Sequence, residues 1–212
     1  MRRFLLLIPA VVLAGSFVPH VPAADKDKDY YPLKVGNTWQ YRMGESRFYV
    51  IAAATEKIGG VECTRLDSRT RLLPKDKAKS SDKTGVVSYE HVAVTADGVA
   101  RYSFEGKKAA PPIVFLKFPV KAGTTWKIES KVAGQLFKGV FKLGEAKKVT
   151  VPAGTYQAVT VTGKDMNVNG EKLSVTYWFA EGVGMIQQEA ELAGQKIKIV
   201  LEKFEKGKES EK

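Results

Sequence analysis

Few residues in this chain have the chemistry of a catalyst, and their spacing narrows the choice further. Among 212 residues there are two histidines and one cysteine. His20 falls in an apolar N-terminal stretch, so a Ser-His-Asp or Cys-His arrangement would have to use His91. His91 sits mid-strand in the run Val87 to Val94, whereas catalytic groups concentrate at element ends and loops. His91 and Cys63 match no zinc-ligand spacing, so no metal site is expected. The glycines are scattered as turn punctuation rather than gathered into a phosphate loop, and no cofactor is expected either. Two acids, Asp97 and Glu181, each precede a Gly in a turn-like setting. A carboxylate pair is the minimum for glycoside hydrolysis, although an acid before Gly also suits plain turn chemistry.

A denser charge pattern lies between Val61 and Leu72. Read as a strand, the odd positions put Cys63, Arg65, Asp67, Arg69 and Arg71 on one face, with Leu66 and Leu72 on the other. If that face is solvated, Arg65, Arg69 and Arg71 form an anion-binding stripe and lower the pKa of the neighbouring thiol. The alternative is an ordinary polar outer face. Trp39, Trp126, Tyr177 and Phe179 are candidate contacts for an apolar or sugar ligand, with a core role as the plainer reading.

The elements that hold these residues are strands. Leu173, Val175, Tyr177 and Phe179 alternate with Ser174 and Thr176, and Trp126 and Ile128 alternate with Lys127 and Glu129. Ile197, Ile199 and Leu201 follow the same period of two, which marks half-buried strands. Turn pairs fall between them at Gly59-Gly60, Asp97-Gly98, Asn169-Gly170 and Ala193-Gly194. Residues 31–39 (YPLKVGNTW) and 118–126 (FPVKAGTTW) match in register, and 96–100 (ADGVA) matches 180–184 (AEGVG) in the same order. This predicts a mainly β protein: a strongly curved antiparallel sheet or open barrel made of two related meander units, 30–105 and 113–204, joined by 106–112. Residues 74–85 read as a charged loop and 205–212 as a frayed Lys/Glu tail.

The N-terminus addresses the protein. Arg2 and Arg3, an apolar run from Phe4 to Val18 and Val21-Pro22-Ala23 have the layout of a cleaved export signal, residues 1–23. The run is short for a permanent membrane span, and Ser16 stands where a lipobox needs cysteine. A lone mature cysteine permits no internal disulfide. The formal charge is +11 and falls to +9 without Arg2 and Arg3. It is spread along the chain, which suits an anionic envelope surface, and no motif points to nucleic acid.

The blocks PLKVGNTW at 32–39, VPAGTY at 151–156 and YWFAEGVG at 177–184 resemble motifs of uncharacterised exported bacterial β-proteins. The resemblance implies a curved antiparallel sheet of cell-envelope type and brings no catalytic residues. Some members look like the half-barrels of periplasmic lipoprotein carriers, a likeness of fold only.

Three functions are compatible with these features. The first is an exported, periplasmic or extracellular, non-enzymatic protein whose curved β-surface binds a lipid, glycan or envelope protein. The second is a carboxylate-based hydrolase of cell-wall or polysaccharide material. The third is a structural module that assembles through its sheet edges.

Overall fold

A computed structural model describes residues 27, 29–70 and 85–207. The expected export signal, Arg71, Leu72, most of the 74–85 loop and the end of the tail lie outside the described residues. The first strands are β1 (Thr38–Met43), β2 (Ser46–Ile58), β3 (Val61–Arg69), β4 (Val86–Thr95) and β5 (Gly98–Phe104). They are followed by β6 (Lys107–Lys117), β7 (Thr125–Val132), β8 (Gln135–Leu143) and β9 (Lys147–Val151). Last come β10 (Gly154–Val168), β11 (Glu171–Ala180), β12 (Gly184–Leu192) and β13 (Gln195–Glu205). No helical element interrupts them among the described residues.

The strands form one antiparallel sheet in the order β11-β12-β13-β1-β2-β3-β4-β5-β6-β7-β8-β10-β9, and a further β10–β11 pairing closes it. β10 makes the closure possible through its length. Its residues 158–168 pair with β11 along one edge, while the other edge is shared between β9 (154–158) and β8 (161–168). Twelve strands thus make a closed barrel with β9 as an addition. Closure removes the free edges that assembly through sheet edges would use, leaving the outer edge of the five-residue β9, which carries Lys147 and Lys148. The predicted joining segment 106–112 is a turn plus the first half of β6, within the same wall.

Period-two patterning decides which face points inward. Trp39 and Tyr41 of β1 are buried inside, as are Leu66 of β3, Val92 of β4, Phe141 of β8 and Phe179 of β11. The opposite positions carry Lys127, Glu129 and Lys131 on β7 and Glu189, Glu191, Lys196 and Lys198 on β12 and β13. An apolar interior with a charged wall is the reverse of a membrane-spanning barrel, whose outside is apolar. The wall therefore faces water. Register shifts in β2, β4, β5, β10 and β11 mark bulges, which bend strands and supply the curvature.

The matched sequence blocks adopt matched backbone geometry. In the first, Gly36 N–H donates to Ala52 O, Asn37 N–H to Lys34 O, and Ala52 N–H to Asn37 O. In the second, Gly123 donates to Leu143, Thr124 to Lys121, and Leu143 to Thr124. Both glycines hold positive φ, +92° and +87°, a region closed to most side chains. Each turn then launches a strand whose Trp indole N–H finds a carbonyl, Val183 O for Trp39 and Val114 O for Trp126.

One end of the barrel is closed by the segment before β1. Tyr31 stacks on Trp39 with centroids 6.2 Å apart and meets Phe115 and Phe179 edge-on. Asp29 O accepts from Gly182 N–H, and the side chain of Asn37 bridges Pro32 O and Gly207 N–H. At the other end the inward side chains become progressively exposed. Leu201, Ile199 and Ile197 run from fully buried to exposed along β13, and Tyr41 to Met43 does the same on β1.

Candidate ligand-binding lumen

A polar floor lies between the sealed end and the open one. Glu90 of β4 and Arg101 of β5 are on the inward phase, as their neighbours Val92 and Val99 show. Arg101 Nε–H donates to Glu90 Oε2 in a short ion pair. The guanidinium also lies over the Phe115 ring, 5.9 Å from its centroid. Phe115 stacks on Phe179 at 6.1 Å and approaches Tyr177 at 6.4 Å, so rings from β6 and β11 meet across the interior. Tyr31 completes the group from the N-terminal segment.

The electrostatics tie these residues together. Burial disfavours the charged guanidinium of Arg101, but Glu90 beside it, with Tyr177 and Tyr31, holds it firmly protonated. Burial pushes the Tyr177 hydroxyl above its ordinary range, with Arg101 pulling it down and Glu90 pushing it up. Tyr31 is raised by burial and then by Glu90, against Arg101. All three side chains are thus charged or neutral in fixed form at neutral pH: Arg⁺ and two Tyr–OH.

Burial of this group is incomplete in an informative way. Arg101 is enclosed by the barrel yet keeps 33% of its side chain accessible, and Glu90 keeps 21%. Tyr31 and Tyr177 are half-buried as well. Interior groups that retain access line a space rather than fill a core. One inward step toward the open end, Val50, Ser68 and Ser88 form the next rung, all half-buried, and Phe48 stacks on Tyr41 beyond it. The floor therefore opens toward a mouth whose lining is mixed, apolar at Val50, Phe48 and Ile199 and hydroxylated at Ser68 and Ser88. The adjoining wall of β6, β7 and β10 is closely packed: Ile113, Ile128, Ser130, Val132 and Met166 are all buried.

The odd-numbered face of β3 shows a contrasting arrangement. Arg65, Asp67 and Arg69 do share one side, which is the outer one, but they are buried rather than solvated. Asp67 accepts from Arg65 Nε at 2.8 Å and from Arg69 Nη2 at 3.3 Å, and Arg65 Nη1 donates to Glu56 at 2.5 Å. The anion stripe expected from solvated arginines is replaced by an internal ion network, because Asp67 already takes the guanidinium charge. Cys63 is buried at its end, and burial pushes the thiol up, the reverse of the lowered pKa that a solvated stripe predicts. Arg71 lies outside the described residues.

His91 joins this network. Its Nε2 is hydrogen-bonded to Glu56 Oε2 at 2.9 Å and its Nδ1 to Ser103 Oγ at 2.6 Å. Burial alone would raise the Glu56 carboxyl, but hydrogen bonds from His91 and Arg65 hold it below its ordinary value. The order serine, histidine, acid is that of an activated nucleophile. Ser103, however, is 1% exposed, next to the end of β5 but sealed, and no carbonyl substrate reaches its hydroxyl there.

The remaining candidates are dispersed. Trp39 and Phe179 are sealed core residues, Trp126 is half-buried against Phe141, and only Tyr177 belongs to the floor. Asp97 and Glu181 occupy exposed turns of the β4–β5 and β11–β12 hairpins, six strand positions apart around a barrel of twelve. A shallow trough of about 410 Å³ crosses three rungs of β11–β13, from Ser174–Glu191–Lys196 to Thr176–Glu189–Lys198. Among the described residues no cluster of His, Cys, Asp and Glu is arranged to hold a metal ion.

Two solved structures resemble the barrel. One is a Bacteroides fragilis protein classed as exported, with a YmcC-like fold, at 12% identity and a TM-score of 0.47, covering 83% of this chain and 98% of that one. The other is a Parabacteroides distasonis protein classed as a lipoprotein, at 11% identity and a TM-score of 0.45, with the same coverage. No protein-family profile and no curated protein sequence matches the chain.

Proposed function

We propose that this is an exported, non-enzymatic envelope protein that holds an amphiphile inside its barrel. The observation that carries this reading is the Glu90–Arg101 floor, enclosed by protein yet accessible, below a mouth that Val50, Phe48 and Ile199 line together with Ser68 and Ser88. The signal-like residues 1–23 support export. The paired sequence blocks and their identical turn bonds support a duplicated half-barrel, whose closure creates the interior. Ligand pockets in barrels combine apolar walls with a few converging polar groups, and this lumen has that composition.

The test is displacement of a fluorescent apolar probe from the purified mature chain, with native mass spectrometry of the protein as isolated. Saturable probe uptake that a single-chain lipid reverses is the expected result. No uptake, with a folded barrel by circular dichroism, contradicts the reading.

A further inference from the structure

The floor also specifies the head group of its ligand, an inference that rests on the lumen reading above. Arg101 uses Nε on Glu90, and among the described residues no acceptor meets its two Nη groups. Those groups and the hydroxyls of Tyr31 and Tyr177 are left as donors, and Glu90 Oε1 is left as an acceptor. Arg101 and Glu90 cancel each other's charge. An anionic head seated there would place a second negative charge beside Glu90 in a poorly solvated site. A cationic head would face Arg101 in the same way, and neither charge would be compensated.

We infer that the lumen selects an uncharged, polyhydroxylated head, glycerol- or sugar-like, on an apolar tail. Neighbouring hydroxyls suit the floor because one accepts from the Arg101 Nη groups while the next donates to Glu90. The aliphatic face of such a head rests against the half-buried Tyr177 ring, beside the guanidinium that covers the buried Phe115. The tail then runs toward Val50, Phe48 and Ile199 at the half-buried mouth.

The experiment compares monododecanoylglycerol, dodecanoate and dodecylamine, each below its micelle concentration, by displacement of the same probe at neutral pH. The glycerol ester is expected to bind about tenfold or more tightly than either charged chain. Glu90→Gln leaves Arg101 uncompensated and is expected to move the preference to dodecanoate. Arg101→Gln is expected to move it to dodecylamine. Equal binding of all three, or dodecanoate best in the unaltered protein, overturns the head-group inference while the lumen reading stands. Binding of none overturns both. Unchanged ranking in both folded variants overturns the assignment of the floor.

Discussion

The barrel carries two clusters of charged and hydroxylated residues back to back on β3, β4 and β5, and they differ in what is left over. On the outer face Arg65, Asp67, Glu56, His91 and Ser103 bond to one another and are sealed, Glu56 alone keeping substantial access. On the inner face Glu90 and Arg101 make one bond and keep donors and access. The same residue types, one position out of phase, thus give a structural network in one case and a receptive surface in the other. Satisfaction of hydrogen bonds, rather than residue identity, separates scaffold from site.

The largest expected effect of breaking this contrast is on stability at the outer network. Asp67→Asn removes the buried carboxylate that Arg65 and Arg69 share, Glu56 remaining on Arg65, and should cost about 3–5 kcal/mol in urea unfolding. Ser103→Ala removes the hydrogen-bond partner of the buried His91 Nδ1 and should cost about 1–3 kcal/mol. The unaltered Ser103 should stay unlabelled by a fluorophosphonate probe under native conditions. Labelling there would reopen the hydrolase reading. At the inner pair, Arg101→Gln should cost less stability than Asp67→Asn, because a third of the arginine side chain is accessible and 21% of Glu90 is too, while its ligand ranking changes.

The acid limb of the stability curve should sharpen the comparison further. Glu56 is held below its ordinary value of 4.5 in the folded chain. Its contribution is therefore complete above that pH and is lost as the pH falls through the lowered folded value. Glu56→Gln should flatten the pH dependence of urea unfolding on the acid side, and an unchanged slope would show that the His91 and Arg65 bonds do not shift it.

Much of the fold was legible because period-two alternation sets strand faces. The turns at Asn169-Gly170 and Ala193-Gly194 hold positive φ at both residues, which the types suggest for Asn169 and the two glycines but not for Ala193. The shared side of Arg65, Asp67 and Arg69 was legible too, but its burial was not, since alternation says which residues are neighbours and not what else satisfies them. The polar floor was missed. A signal existed: Glu90 shares a phase with Val92 and Val94, and Arg101 shares one with Val99, so each puts a charge on an inward row. What hid it was register. Bulges in β4 and β5 shift the pairing between His91 and Val92 and between Arg101 and Ser103, and no local pattern shows that Glu90 and Arg101 meet. Tyr31 and Tyr177 are distant in sequence and converge only on closure of the barrel.

The most direct test of an open interior beside a sealed exterior uses two nearly isosteric changes in a Cys63→Ser background. Ser88→Cys places a thiol on the half-buried inward rung next to Glu90, and Ser103→Cys places one in the sealed outer network. With a small water-soluble thiol reagent, the first should react readily and be protected by monododecanoylglycerol, and the second should react only on unfolding. Equal silence of both thiols, or equal reaction of both without protection, would contradict the account.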